Sequence, residues 1–146
     1  MRTGFEELQG QISPDGHWMA YRSDESGQPE VYVRPFPSGE GKWRISTGGE
    51  QPRWRRDGKE LFFLGCDGKM MAAVVNPGPN GSFEAGSPMP LFEAHIATAA
   101  GSTFQYDVTA DGKRFLVNRE LAGTNGAPAS APVLNVVVNW QAGLKK

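Results

Sequence analysis

The chain has 146 residues, with 15 Lys and Arg against 16 Asp and Glu, so no global charge draws it toward nucleic acid or an anionic membrane surface. Glycine and proline number 19 and 11, roughly a fifth of the chain, where ordinary usage gives about 12%. With 38% hydrophobic and 21% charged residues, that composition excludes a disordered acidic tail and a membrane-helix protein and points to many short strands.

The start, Met1 to Leu8, lacks the apolar core of a signal peptide, and the longest apolar run, Met70 to Val75, is far short of the roughly 20 residues of a membrane helix. The chain therefore reads as cytoplasmic as it stands, or as a piece of a longer extracytoplasmic protein, with no membrane insertion expected. The one cysteine, Cys66, excludes an internal disulfide.

From Ile12 onward the chain is organised by a repeat. The first copy is Ile12-Ser13-Pro14-Asp15-Gly16-His17-Trp18-Met19-Ala20-Tyr21, with strands after it over Glu30–Arg34 and Lys42–Ser46. The second is Trp54-Arg55-Arg56-Asp57-Gly58-Lys59-Glu60-Leu61-Phe62-Phe63, with strands after it over Lys69–Val75 and Met89–Glu93. A Pro- and Gly-rich insertion, Asn76 to Pro90, interrupts this copy. The third is Val108-Thr109-Ala110-Asp111-Gly112-Lys113-Arg114-Phe115-Leu116-Val117, with a strand after it over Val133–Trp140. Asp-Gly between apolar runs is a strong hairpin signal, because Gly supplies the positive φ that returns the chain to a strand. The runs after these turns are apolar on both faces, which predicts sheets covered on both sides by other sheets. Up to four strands in each 40 to 50 residues is the size of a β-propeller blade. The expected fold is thus all-β: about three four-stranded antiparallel blades, over residues 9–47, 48–95 and 102–146, a half-propeller. A single β-sandwich of about ten strands would match the strand count but not the repeat.

The stretch Ile12-Ser13-Pro14-Asp15-Gly16-x-Trp18-x-Ala20-Tyr21, with Glu30-Val31-Tyr32-Val33-Arg34-Pro35-Phe36-Pro37 after it, resembles the TolB-type propeller repeat. It looks most like the C-terminal propellers of large bacterial proteins, including some eukaryotic-like serine/threonine kinases. The likeness spans essentially the whole chain, with Thr-Ala-Asp-Gly in place of Ser-Pro-Asp-Gly in the third copy. It implies a binding or scaffolding module and no catalytic residues. Three blades leave two sheet faces uncovered, so the expectation is either a homodimer, closing a ring of about six blades head-to-tail, or a place in a larger chain. The third blade lacks an outer strand, which Met1 to Leu8 could supply.

Candidate sites come from the innermost strands, whose polar residues should converge on the channel. The candidate ligand-binding residues are Gln11, Glu50, Gln51, Arg53, Arg55, Gln105 and Asp107, with Gln9 beside them, for a peptide, a protein partner or a small polar ligand. No cofactor and no metal are expected. His17, His95 and Cys66 are too scattered to read as a zinc site, and the acidic loop Asp24 to Glu30 lacks EF-hand spacing. Alternation in Arg53 to Lys59 turns Trp54 toward the core, which leaves a solvated basic face and no nucleic-acid site. The function expected is a non-enzymatic binding module. The alternatives are a hydrolase drawing on Ser13, Ser102, His17 or His95, and a purely structural fragment of a larger protein.

Overall fold

A computed structural model describes residues 4–37, 39–78, 81–96, 103–119 and 133–138. The described residues form antiparallel strands in three consecutive sheets, with no helix among them. The first blade runs β1 (Glu7–Ile12), β2 (Trp18–Ser23), β3 (Glu30–Pro35) and β4 (Trp43–Arg44), each strand paired with the next. The second runs β5 (Glu50–Trp54), β6 (Glu60–Leu64) and β7 (Lys69–Pro77). Its outer edge is divided: β9 (Met89–Glu93) pairs with the start of β7, and β8 (Phe83–Ala85) with its end. The third is β10 (Tyr106–Val108), β11 (Arg114–Arg119) and β12 (Val133–Val138).

One expectation changes here. The third blade has three described strands, without an outer one. Residues Glu7 and Leu8, expected as its outer strand, instead open β1, where they pair with Ser23 and Arg22. Glu6 joins them on the first blade, its N–H donating to Asp24 and its carboxylate facing Arg22 at 2.8 Å. Met1 to Thr3 lie outside the described residues, as do Ser102 and Trp140.

The hairpins arise from local turn chemistry. In each repeat the Asp carboxylate accepts a hydrogen bond from the N–H two residues on, at 3.0 Å in all three cases: His17 to Asp15, Lys59 to Asp57 and Lys113 to Asp111. The Gly after each Asp has φ of 77°, 70° and 72°. The sequence Gly65-Cys66-Asp67-Gly68 repeats the device between β6 and β7, with Lys69 N–H on Asp67 at 3.1 Å and Gly68 at φ 81°. Only glycine adopts that left-handed conformation without a Cβ penalty.

The core lies in two seams between blades. Trp18, Ala20, Val31, Val33 and Ile45 of the first blade meet Leu61, Phe63, Ala73 and Val75 of the second. Phe62, Leu64, Met70 and Ala72, on the opposite face of the second blade, meet Tyr106, Phe115 and Val117 of the third. Strand β6 is therefore apolar on both faces because it serves both seams, and each fully buried large side chain contributes about 1.5–3 kcal/mol. The Asn76–Pro90 insertion adds to the first seam. Its Phe83 sits 4.9 Å from the Trp18 ring and 5.6 Å from Trp43. In the second seam Phe62 and Phe115 meet edge to face at 5.1 Å.

Candidate functional site

The innermost strands β1, β5 and β10 stand side by side, and equivalent positions of the repeat meet across them. Six residues before each turn Asp lies a glutamine: Gln9, Gln51 and Gln105. A bulge in β1 and another in β5 put Gln9 and Gln51 in the left-handed region, at φ 57° and 58°. That turn of the backbone sends each side chain into the seam. Gln9 Oε1 accepts the backbone N–H of Gln51 at 2.8 Å, and Gln51 Oε1 accepts the N–H of Gln105 at 2.6 Å. The three glutamines form a ladder that staples successive blades. Gln105 Oε1, at the end of the ladder, accepts Asn118 Nδ2 at 2.7 Å.

Four residues before each turn Asp lie Gln11, Arg53 and Asp107. These also meet in a row. Arg53 Nη1 reaches Gln11 Oε1 at 3.5 Å, and Arg53 Nε is 3.8 Å from Asp107 Oδ1. Both contacts are long, and Nε is buried without a hydrogen bond. The guanidinium lies over the Phe104 ring, 4.0 Å from its centre. Arg53, Phe104 and Asp107, with Gln105, Tyr106, Leu116 and Asn118, line a cleft of about 440 Å³. Burial pushes the Tyr106 phenol well above its ordinary value, so it stays protonated and donates to Gln51 O at 2.7 Å.

Of the seven residues expected at the channel, the structure brings Gln11, Arg53 and Asp107 together. Gln51 and Gln105 are buried, the Gln51 side-chain oxygen committed to the seam and that of Gln105 to Asn118 of its own blade. Arg55 is held in its own hairpin by both oxygens of Asp57, at 2.7 and 2.6 Å, and by Glu60. Glu50 faces Arg22 at 3.8 Å instead. Phe104 joins the cleft unannounced: one aromatic beside Gln105 carries no periodic signal.

The other candidates are absorbed by the fold. The Ser13 hydroxyl donates to Asp15 and accepts the Trp18 N–H at 2.9 Å, so it is a turn residue. In the acidic loop, Glu25 pairs with Lys42, and Glu30 is buried against the Tyr32 hydroxyl at 2.9 Å. Burial opposes ionisation of Glu30, but hydrogen bonds from Tyr32, Ser26 and Gln28 outweigh it and keep its carboxyl below the usual range. Trp54 packs on the first seam and donates its indole N–H to Gln11 O at 3.0 Å. Desolvation, with Glu50 and Asp67 nearby, raises the Cys66 thiol and leaves it a weak nucleophile. Among the described residues no three His, Cys, Asp or Glu side chains gather as a metal site, and no helix is long and apolar enough to cross a membrane.

No protein-family model matches the chain, and no curated protein is significantly similar to it. Solved structures are similar in fold. A candidate 6-phosphogluconolactonase from Bacteroides uniformis superposes over 82% of this chain and 35% of its own, with a TM-score of 0.54 and 18% identity. TolB from Acinetobacter baumannii aligns over 95% of this chain and 45% of its own, with a TM-score of 0.39 and 17% identity. The chain thus spans between a third and a half of the length of either neighbour. At these identities the likeness concerns the fold alone, and with the three stapled blades it identifies the architecture as that of a β-propeller.

Proposed function

We infer that the chain is a recognition module, a run of propeller blades that binds a peptide or small polar ligand through an anionic group at Arg53. The observation that supports this reading is the state of that guanidinium. It is held flat by Phe104 yet makes only long polar contacts, at 3.5 Å to Gln11 and 3.8 Å to Asp107. A preorganised arginine fork with unused donors suits a carboxylate or phosphate, which accepts two parallel hydrogen bonds. Asp107 would take a donor on the same ligand, and Gln11 either a donor or an acceptor. On this reading the repeat's likeness to kinase-associated bacterial propellers gives the setting: a sensing module beside a signalling domain. The hydrolase alternative loses Ser13 to its turn.

The test is a thermal-shift and calorimetric screen of small carboxylates, phosphates and peptides with free C-termini. A hit should be lost in Arg53→Ala while the variant keeps the circular dichroism of the parent. Binding that is unaltered in Arg53→Ala, or a screen without hits, would remove the reading.

A further inference from the structure

Each seam uses the same positions of the repeat. The earlier blade supplies a glutamine Oε1 and the residue five after its turn Asp: Ala20 in the first seam and Phe62 in the second, both 0% exposed. The later blade supplies the N–H of the next glutamine and the residue three before its own turn Asp, Trp54 and then Val108. It also supplies the residue four after that Asp, Leu61 and then Phe115, each 0% exposed.

The chain also carries the two halves of a third seam, at opposite ends. Blade three ends in the earlier type: Leu116, equivalent to Ala20 and Phe62, is 37% exposed and borders two clefts, of about 330 and 440 Å³. Blade one begins in the later type: Ile12, equivalent to Trp54 and Val108, is 52% exposed. Met19, equivalent to Leu61 and Phe115, is only partly covered.

We propose that a second copy of this chain completes this seam head-to-tail, its first blade docking on the third blade of its partner, so that two copies close one ring. The apolar positions argue for the occupant. Leu116 stands open at one end, and Ile12 with Met19 at the other, so an identical copy presents to each end the half it lacks, while Gln105 Oε1 already accepts Asn118 of its own blade. The polar row agrees. Gln11 offers its oxygen to Arg53, and Arg53 faces the Asp107 carboxylate, which would then receive Gln11 Nε2 of the second copy. In the isolated chain that amide reaches only the carbonyl of Gly10, at 3.0 Å. Three blades from each copy fall within the four to eight blades of closed propellers, and a head-to-tail contact closes when its rotation completes a turn. The incoming blade would wall the open side of the Arg53 cleft.

The mass in solution tests this, read by light scattering at tens of micromolar. The unaltered chain should run at about twice 15.8 kDa, independent of concentration. Ile12→Glu and Leu116→Lys should each run as monomers with unaltered circular dichroism, whereas Val74→Glu, exposed on β7 of the second blade, should stay dimeric. Mixing the first two variants should restore the dimer, because one seam of the mixed pair is untouched and the other joins Glu to Lys. A 15.8 kDa species for the unaltered chain, masses that grow with concentration, or a mixture that stays monomeric would each overturn the proposal. These readings concern mass alone, so they stand or fall apart from ligand binding at Arg53.

Discussion

The glutamine ladder can be broken at one rung without changing the shape of the seam. In Gln51→Met the side chain keeps its length, and the backbone keeps its left-handed φ of 58°, but Gln105 N–H loses the acceptor that now sits 2.6 Å away. Gln51 is 2% exposed, so no water replaces that acceptor. An orphaned buried donor costs about 1–3 kcal/mol. Taking about 2 kcal/mol, the melting temperature should fall by about 4–8 °C for a chain of this length. Amide hydrogen exchange locates the effect. The Gln105 amide should exchange about 30-fold faster, and by more than the Gln51 amide, whose own acceptor on Gln9 is untouched. If the Gln105 amide keeps its protection, or both amides lose it equally, the ladder is not what staples the blades.

Gly112→Ala should destabilise by about 2–4 kcal/mol in urea unfolding, combining a left-handed φ of 72° with a Cβ placed 2.9 Å from Arg55 Cδ and 3.0 Å from Phe62. Gly16→Ala, at φ 77° with open space around it, should cost only about 1–2 kcal/mol; equal losses would refute the clash. The Arg55 hydrogen bond holds Asp57 down to about 2, the Thr109 hydroxyl lowers Asp111, and in Asp15 the bonds from Ser13 and His17 overcome desolvation. Such carboxyls bind fewer protons folded than unfolded, so their stabilisation is present above about pH 4 and lost as the pH falls toward 2. Urea midpoints should drop across that window and drop less in Asp57→Asn, by about 1 kcal/mol or less because the group is exposed.

Legibility in the sequence tracked the range of the interaction. The Asp-Gly hairpins could be read because their chemistry is complete within five residues, and β6 because Leu61-Phe62-Phe63-Leu64 leaves no face for water. The fate of the glutamines could not. Simple alternation sends Gln51 and Arg53 the same way, but the bulge in β5 adds a residue and turns Gln51 into the seam. Arg55 likewise left the face it shares with Arg53 because Asp57 and Glu60, close in its own hairpin, offer it two carboxylates. The divided edge of the second blade was hidden for a different reason: Phe83 is a lone aromatic in a Pro/Gly stretch, and only Trp18 and Trp43 across the seam give it a place.

The four Asp-Gly turns also bear on chemical ageing. Among aspartyl dipeptides Asp-Gly cyclises most readily, through attack of the glycine nitrogen on the aspartyl side chain, and so isomerises to isoaspartate. Here each glycine N–H is already engaged, Gly16 on Ser13 O, Gly58 on Arg55 O, Gly68 on Gly65 O and Gly112 on Thr109 O, at 2.8 to 3.0 Å. Each carboxylate is meanwhile held by the N–H beyond. The turns that specify the hairpins thus shield their own weak bonds, and peptide mapping after storage should find isoaspartate gathering in urea-unfolded samples and sparse in native ones.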